Sequence, residues 1–363
     1  MEKATDRKQE QSIFQNDALC HRAERKNKSD AVVKGIFMAI AIVCASIIVF
    51  VVVFVFIKGI SSFVTTYTEE GGITGKQNFW TFLSHTTWNG GAFNFGGGYL
   101  IVNTIFLTLL SLILSIPLSI LTSLLITRIA PKAVSAVLQA GVELLAAVPS
   151  VIYGLFGVGF INPLVNGMAE AMGMTTKGGN SVLSAIVVLA LMSVPTMTMM
   201  ATTAMKAVSK NLINASIALG ASPTQTNFKI VLKDAQSGIF AGIILGIGRA
   251  LGEATAVQMV IGNAPSGIHF GLFESSSTLT TQMLMGIGEA TPGTLGYDIR
   301  FSAGLFLILL ILVVDLTLNH IKNWMYATKT GQKMKPSLLK MFFTRYLPML
   351  SRKLVSPKEE SHD

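Results

Sequence analysis

The stretch Asn214–Gly238, NASIALGASPTQTNFKIVLKDAQSG, is a polar interval between two apolar runs, and its local signals agree on two short helices with a tight bend. Gly220 suits the left-handed position that ends a first helix, and Ser222 is a good N-cap. Pro223 fits the first helical position and Gln225 completes a capping box with Ser222. So definite a loop, on so apolar a chain, is predicted to be presented to a soluble partner.

The apolarity is that of a membrane protein. The 363 residues are 51% hydrophobic and only 13% charged, too apolar for a soluble domain of this length. The chain reads as an all-α polytopic membrane protein with six spans, at about 35–57, 99–127, 136–162, 181–204, 237–263 and 301–321. The first, Ile36–Ile57 between Lys34 and Lys58, is longer than a signal peptide's apolar region and lacks a convincing cleavage site, so it is an anchor. The expected organisation is a polar N-terminal extension at 1–34, a six-helix domain at 35–322 with its helix-turn-helix loop at about 205–236, and a tail at 323–363. That tail mixes Leu339, Phe342, Phe343, Leu347 and Leu350 with basic residues, the composition of a segment lying on a membrane surface, although Pro348 interrupts one continuous helix.

The formal net charge of +9 is a topology signal. Eight basic residues precede the first span and nine follow the last, which puts both termini in the cytoplasm. Arg128, Lys132, Lys206, Lys210, Lys229 and Lys233 assign their loops to the same side. Membrane lipid is an expected partner as the chain's surround, and no nucleic-acid partner is expected. The external loop at 58–98 carries Trp80, Trp88 and a glycine-rich FNFGGG turn of structural character. The loop at 264–300, with Glu274, Glu289 and Asp298, is either a docking surface for an external protein or a solvated connection.

Catalytic patterns are missing. Cys20 and Cys44 are the only cysteines, which excludes a disulfide framework. The nearest approach to a phosphate-binding loop, GGITGKQ at Gly71–Gln77, is one residue short and ends in Gln77 where Ser or Thr is needed. Gly246, Gly248 and Gly252 lie inside an apolar helix, not after a strand. The chain is therefore expected to be no enzyme and to hold no metal or cofactor of its own.

Inside the spans, Pro117, Pro149 and Pro195 are predicted helix kinks near mid-membrane, either around a cavity or as ordinary packing features. Gly238, Gly242 and Gly246, then Gly248 and Gly252, recur at four-residue intervals that permit close helix approach, to a neighbour in this bundle or to another subunit. Arg249 and Glu253, in GIGRALGEATAV, are the most costly residues, at about 2.5–3.5 kcal/mol each on insertion scales. Their spacing puts them on one helical face, within pairing distance. They are either a point on a solute pathway, where Arg249 attracts an anion and Glu253 keeps binding weak, or a structural ion pair. Glu143 and Asp315 are further carboxylates in or near spans, Glu143 reaching the cytoplasmic interface.

Three segments together carry a resemblance to one family. The Asn214 loop resembles the coupling motif of ABC importer permeases: Ala215, Ala218, Leu219, Gly220 and Ala221 match its first half, and Ile230 with Leu232 its second. Asn214, Ser216 and Lys233 depart from the motif's Glu, Ala and Pro. ELLAAVPSVIYGLFG at Glu143–Gly157, and GRALGEATAV at Gly248–Val257 followed by IGNAP, are similar to the C-type permease subunit (PstC) of phosphate importers, with Ala254 and Thr255 departing from its more usual G-E-T-M-A-V.

The resemblance implies a type I ABC importer permease fold in the plasma (inner) membrane, with cytoplasmic coupling helices. It implies an inorganic phosphate substrate, a second, A-type permease, an ATPase dimer that binds ATP and Mg, and an external phosphate-binding protein. Arg249, Glu253, Thr255 and Ser150 are then the expected pathway residues. Ala215, Ala218, Leu219, Gly220, Ala221 and Ser222 are the expected ATPase contact. The alternatives are a permease for sulfate or molybdate and, from another class, a proton-coupled carrier using Arg249 and Glu253 as a relay. A scaffold without flux leaves the prolines and the charged residues unexplained.

Overall fold

The computed structural model describes residues 2–68, 74–88, 93 and 95–330, without the side chains of 2–32 and 324–330. Most of the expected surface tail, and Gly71 to Ile73 of the GGITGKQ stretch, lie outside the described residues. The chain divides into two units, Met1–Lys58 and Gly59–Asp363. Helix α1, Glu2–Val64, supplies the first unit and ends in the second. Its backbone runs without a break through the predicted boundary at 34–35, and its apolar part is Val33–Val64.

In the second unit, α2 is Phe79–Ser84, and α3, Gly98–Leu124, ends in a π-type turn, Leu125–Ile129. Helices α4, Lys132–Ala147, and α5, Ser150–Phe156, flank a break, and a π-type turn then leads into α6, Asn162–Ala171. Helix α7 is Val182–Lys206, and α8, Lys210–Ala218, and α9, Pro223–Thr226, follow. A π-type turn, Asn227–Val231, leads to α10, Leu232–Asp234, and α11, Gln236–Gly252. The chain closes with α12, Thr255–Val260, α13, Leu279–Leu284, and α14, Leu295–Thr330.

Among the described residues five helices are long and apolar enough to cross a membrane, and a sixth crossing arises if the pair Pro223–Asp234 and Gln236–Gly252, bent by 66°, is one span. Three predicted spans need correction. The third is cut at Val148 and Pro149, and the crossing-length helix is Ser150–Ala171, not 136–162. The fifth stops at Gly252, so α11 alone is about 25 Å long, short of a hydrocarbon core of about 30 Å. The sixth begins at Leu295, which takes Asp298 out of the supposed loop and into the helix, where it accepts the Tyr67 hydroxyl at 2.7 Å.

Helix α7 is the axis of the second unit, and small residues hold its neighbours. Ser111, Ser115, Ser119 and Ser123 of α3 recur at intervals of four and are all buried. Ser119 bonds the Ser115 carbonyl at 2.7 Å and reaches the Val194 carbonyl of α7 at 3.3 Å. On α11, a Cβ at Gly238 would lie 2.5 Å from Ala204 Cβ, and one at Gly242 would lie 2.7 Å from Met200 Cβ. A Cβ at Gly246 would meet the Met197 side chain at once. These glycines therefore face α7 of the same bundle, the choice that spacing left open, whereas a Cβ at Gly248 or Gly252 would meet nothing within 4 Å.

At the end away from α8, the glycine-rich turn serves close backbone approach. A Cβ at Gly97 would strike the buried Phe82 ring, and one at Gly98 the Leu83 carbonyl. Gln77, the residue that spoiled the nucleotide pattern, exchanges two hydrogen bonds with the Phe95 backbone, at 2.9 and 3.1 Å. Asn103 clamps the following loop through the Gly267 carbonyl and the His269 N–H, each at 3.2 Å.

Gly242→Val is expected to destabilise the protein by about 1–3 kcal/mol through overpacking. Gly248→Ala is expected to leave stability unchanged or raise it by up to about 1 kcal/mol. Thermal unfolding of the full-length protein in detergent measures both, and equal effects would contradict the packing of α11 on α7.

Candidate functional site

The site forms where α11 stops. Glu253 leaves the helix with extended backbone, φ −74° and ψ 121°, and its carboxylate turns forward. It accepts the Ala256 N–H at 3.1 Å and the Thr255 hydroxyl at 3.0 Å, closing the first turn of α12. Ser150, at the start of α5, bonds Thr255 at 3.0 Å. Thr280 of α13 donates to the Glu253 carbonyl at 2.9 Å. At the break, the Glu253 carboxylate and carbonyl and the Ala256 N–H therefore find protein partners, as an apolar surround requires.

Three of the four predicted pathway residues, Ser150, Glu253 and Thr255, thus form one hydrogen-bonded chain. Arg249 does not pair with Glu253. Their four-residue spacing predicts a pair only on a continuous helix, and the helix ends between them. Arg249 instead donates to Thr196 of α7 at 2.9 Å and is half-buried. Thr196 follows directly on Pro195 in a threonine-rich run, TMTMMATT, a polar signal within an apolar span that spacing arguments passed over.

The three prolines differ in setting. Pro117 and Pro195 lie inside α3 and α7, the first exposed and the second buried. Pro149 lies outside any helix, at the N-cap of α5. It removes the amide that the Leu145 carbonyl of a continuous helix would need, and the Tyr153 hydroxyl supplies a donor there at 2.8 Å. A cavity of about 290 Å³ does adjoin the other break, bounded by Gly252, Ala254, Thr280 and Arg300. The Arg300 guanidinium is engaged by the carbonyls of Met285, at 2.8 Å, and Gly296.

The second predicted site is the α8–α9 corner, and its local chemistry is as read from the sequence. Gly220 has φ +87° and ends α8. Ser222 caps α9, accepting the Gln225 N–H at 3.2 Å while Gln225 accepts the Ser222 N–H at 3.1 Å. Ser216, a departure from the motif, bonds Thr226 at 3.0 Å and ties the two arms together. Ile213 and Val231 anchor the corner in a cluster with Leu124, Met205 and Ile239, and Arg128 donates to Asn227 at 3.1 Å. Leu219, beside Ala215, Ala218 and Ala221 in the same corner, is 90% exposed.

Residues 101–326, more than half of the chain, match the family described as "Binding-protein-dependent transport system inner membrane component". The chain belongs to this permease family. It is 31% identical over 305 residues to the "Probable ABC transporter permease protein YqgH" of Bacillus subtilis (strain 168), covering 83% of this chain and 94% of that one. It is 29% identical over 269 residues to the "Phosphate transport system permease protein PstC" of Pasteurella multocida (strain Pm70), covering 70% and 82%. Among solved structures it is similar to a chain of a bacterial alginate ABC transporter in complex with an alginate pentasaccharide-bound periplasmic protein. That likeness has a TM-score of 0.51 and 21% identity over 68% of this chain and 83% of the other, and speaks to the fold alone. The permease is accordingly a multi-pass membrane component of an ABC importer and not itself an enzyme.

Glu253→Ala is expected to cost the permease about 0.5–2 kcal/mol, the value of a lost helix cap. Glu253→Gln keeps an oxygen for the Ala256 N–H and is expected to cost less than half of that. Thermal unfolding distinguishes them, and equal losses would restore an ion-pair role for Glu253.

Proposed function

We propose that this permease is the C-type membrane subunit of an ATP-driven phosphate importer in the plasma membrane, with both termini in the cytoplasm. Arg249 is the point at which the passing oxyanion is met. The observation that carries the reading is the arrangement at the broken helix: a half-buried guanidinium held by one neutral hydroxyl, beside the chain from Ser150 through Thr255 to Glu253. An arginine with no carboxylate within ion-pair distance among the described residues keeps donors for an oxyanion. Glu253, turned away into α12, limits how tightly that anion is held. Similarity to PstC proteins supports phosphate over sulfate or molybdate.

The remaining parts belong to partners. A second, A-type permease completes the pathway, an external phosphate-binding protein delivers the substrate, and a cytoplasmic ATPase dimer binds ATP and Mg. The α8–α9 corner suits the ATPase contact because its base is buried against α3, α7 and α11 while Leu219 projects. ATPase closure would then move those helices between inward-facing and outward-facing states. Reconstitution of the four components in vesicles tests the reading through uptake of phosphate, sulfate and molybdate with and without ATP. Uptake by this chain alone on a proton gradient would overturn it.

Leu219→Asp is expected to weaken ATPase association by about 30-fold or more, as loss of an interface anchor does. Gly220→Val, which forces a branched side chain into φ +87°, is expected to do the same while membrane insertion persists. Co-purification of the ATPase and ATP-dependent uptake read both, and unchanged uptake would remove the coupling role. Arg249→Gln is expected to lower uptake by about tenfold with the complex still assembled. Dissociation of the complex would instead assign Arg249 to structure.

A further inference from the structure

Below the broken helix, between α4 and the last turns of α7, lies a second polar cavity of about 80 Å³. Gln139, Glu143, Thr202, Thr203 and Lys206 line it, with Met199 and Ile126 on the apolar side. Lys206 has so far served only to set topology, and Gln139 and Thr202 have had no role.

Three observations bear on what this cavity can hold. Lys206 Nζ donates to Gln139 Oε1 at 2.7 Å, while Gln139 Nε2 donates to Glu143 Oε1 at 2.8 Å. The amide therefore stands between the two charges, and among the described residues no carboxylate lies within ion-pair distance of Lys206. An ammonium has three donors, and this contact uses one. Thr202 is 6% exposed, lines the cavity, and its hydroxyl has no hydrogen-bond partner. A buried hydroxyl without a partner is costly to keep unless something engages it. A cavity of this size holds several waters or one small polyatomic ion.

The donors select the charge of the ligand. An ammonium on one wall repels a cation, and Gln139 holds the Glu143 carboxylate off from it. The remaining donors of Lys206 suit an acceptor with several oxygens, to which the closed-off Thr202 hydroxyl adds a donor once its side chain rotates. Along α7, Thr196, Met199, Thr203 and Lys206 follow the three- and four-residue spacing of one helical face, and ten residues span about 15 Å. The cavity therefore runs along α7 from Met199 to Lys206, and Lys206 at its far end lies about 15 Å from Thr196, towards the α8 end. Both places combine one cation, one carboxylate held off from it, and hydroxyl groups.

We propose that the Gln139–Thr202–Lys206 cavity is a second, release-side station for a free tetrahedral oxyanion of the phosphate class, which an anion also reaches from the cytoplasm. The station rests on the importer reading above. Its chemistry is shared by lipid phosphate headgroups, so the test separates the two sources.

The assembled transporter, with the full-length chain, is reconstituted in neutral vesicles and in vesicles that also carry an anionic lipid. ATP-dependent phosphate uptake is then read against rising internal inorganic phosphate. Lys206→Gln is expected to raise the internal phosphate needed for half-inhibition by about tenfold, and Thr202→Val by about threefold, with KM for external phosphate unchanged and in both vesicle types. Thr202→Val removes a hydroxyl that no described residue engages, so a purely structural role predicts unchanged inhibition and equal or greater thermal stability. Wild-type inhibition in Thr202→Val, or in Lys206→Gln where that variant assembles, overturns the station. So does a shift confined to anionic vesicles, which assigns the cavity to a lipid headgroup. Wild-type transporter without ATP-dependent phosphate uptake overturns the importer reading and the station with it, whereas normal wild-type flux with unaltered variants removes the station alone.

Discussion

The close approach of α11 to α7 is the contact on which the rest depends. Between helices in lipid there is little hydrophobic drive, because the surrounding tails are as apolar as the side chains, so association rests on packing and hydrogen bonds. Gly238, Gly242 and Gly246 remove the atoms that would hold α11 off the side chains of Ala204, Met200 and Met197. The serine row of α3 does the same on another side of α7, and adds hydroxyls that bond to carbonyls of their own helix. With α11 drawn in, Arg249, one turn beyond Gly246, lies within hydrogen-bond reach of Thr196. A residue larger than glycine at 242 would separate the helices and the guanidinium together.

The same contact explains why a broken helix is tolerated at membrane depth. Irregular backbone in the hydrocarbon region survives only where protein or a cavity satisfies it. Here Glu253 caps the next turn with its own carboxylate, Thr280 takes the Glu253 carbonyl, and a cavity adjoins Gly252 and Ala254. The break at Pro149 is answered in the same way by Tyr153. Each break puts a serine or threonine at the start of a new helix, and those two residues, Ser150 and Thr255, bond one another. Two interruptions that are costly separately become one polar locus when they meet.

The residues legible in the sequence were those whose structure is set locally. The bend at Gly220 and the Ser222–Gln225 box needed only neighbours three residues away, and both are present as read. Six apolar runs are visible because lipid demands them, yet hydropathy does not register a backbone break, so the apolar runs 136–162 and 237–263 continue through Val148 and Glu253 where the helices do not. The Arg249–Glu253 pair failed for the same reason, since its spacing argument assumed a helix that stops one residue too early. The serine row at 111, 115, 119 and 123 was in plain view at the spacing already used for the glycines. The contact of Thr196 with Arg249 was out of reach, because it joins residues 53 apart through tertiary packing alone.

The packing of the corner onto three helices ties these polar points to one body. Ile213 and Val231 are buried with Leu124, Met205 and Ile239, so the α8–α9 corner does not shift without carrying the ends of α3, α7 and α11. Burial of two such side chains is worth on the order of 1.5–3 kcal/mol each, enough to make the corner follow its helices as one body under modest force. Helix α7 carries Thr196 beside Arg249 and, about 15 Å along the same face, Lys206 beside Gln139. Thr196 and Lys206 each meet a side chain from a different helix, α11 in one case and α4 in the other. A displacement of α7 relative to those two helices therefore alters both contacts in one stroke. On the proposed function, a push on the corner would reach both the Arg249 and the Lys206 contacts through α7.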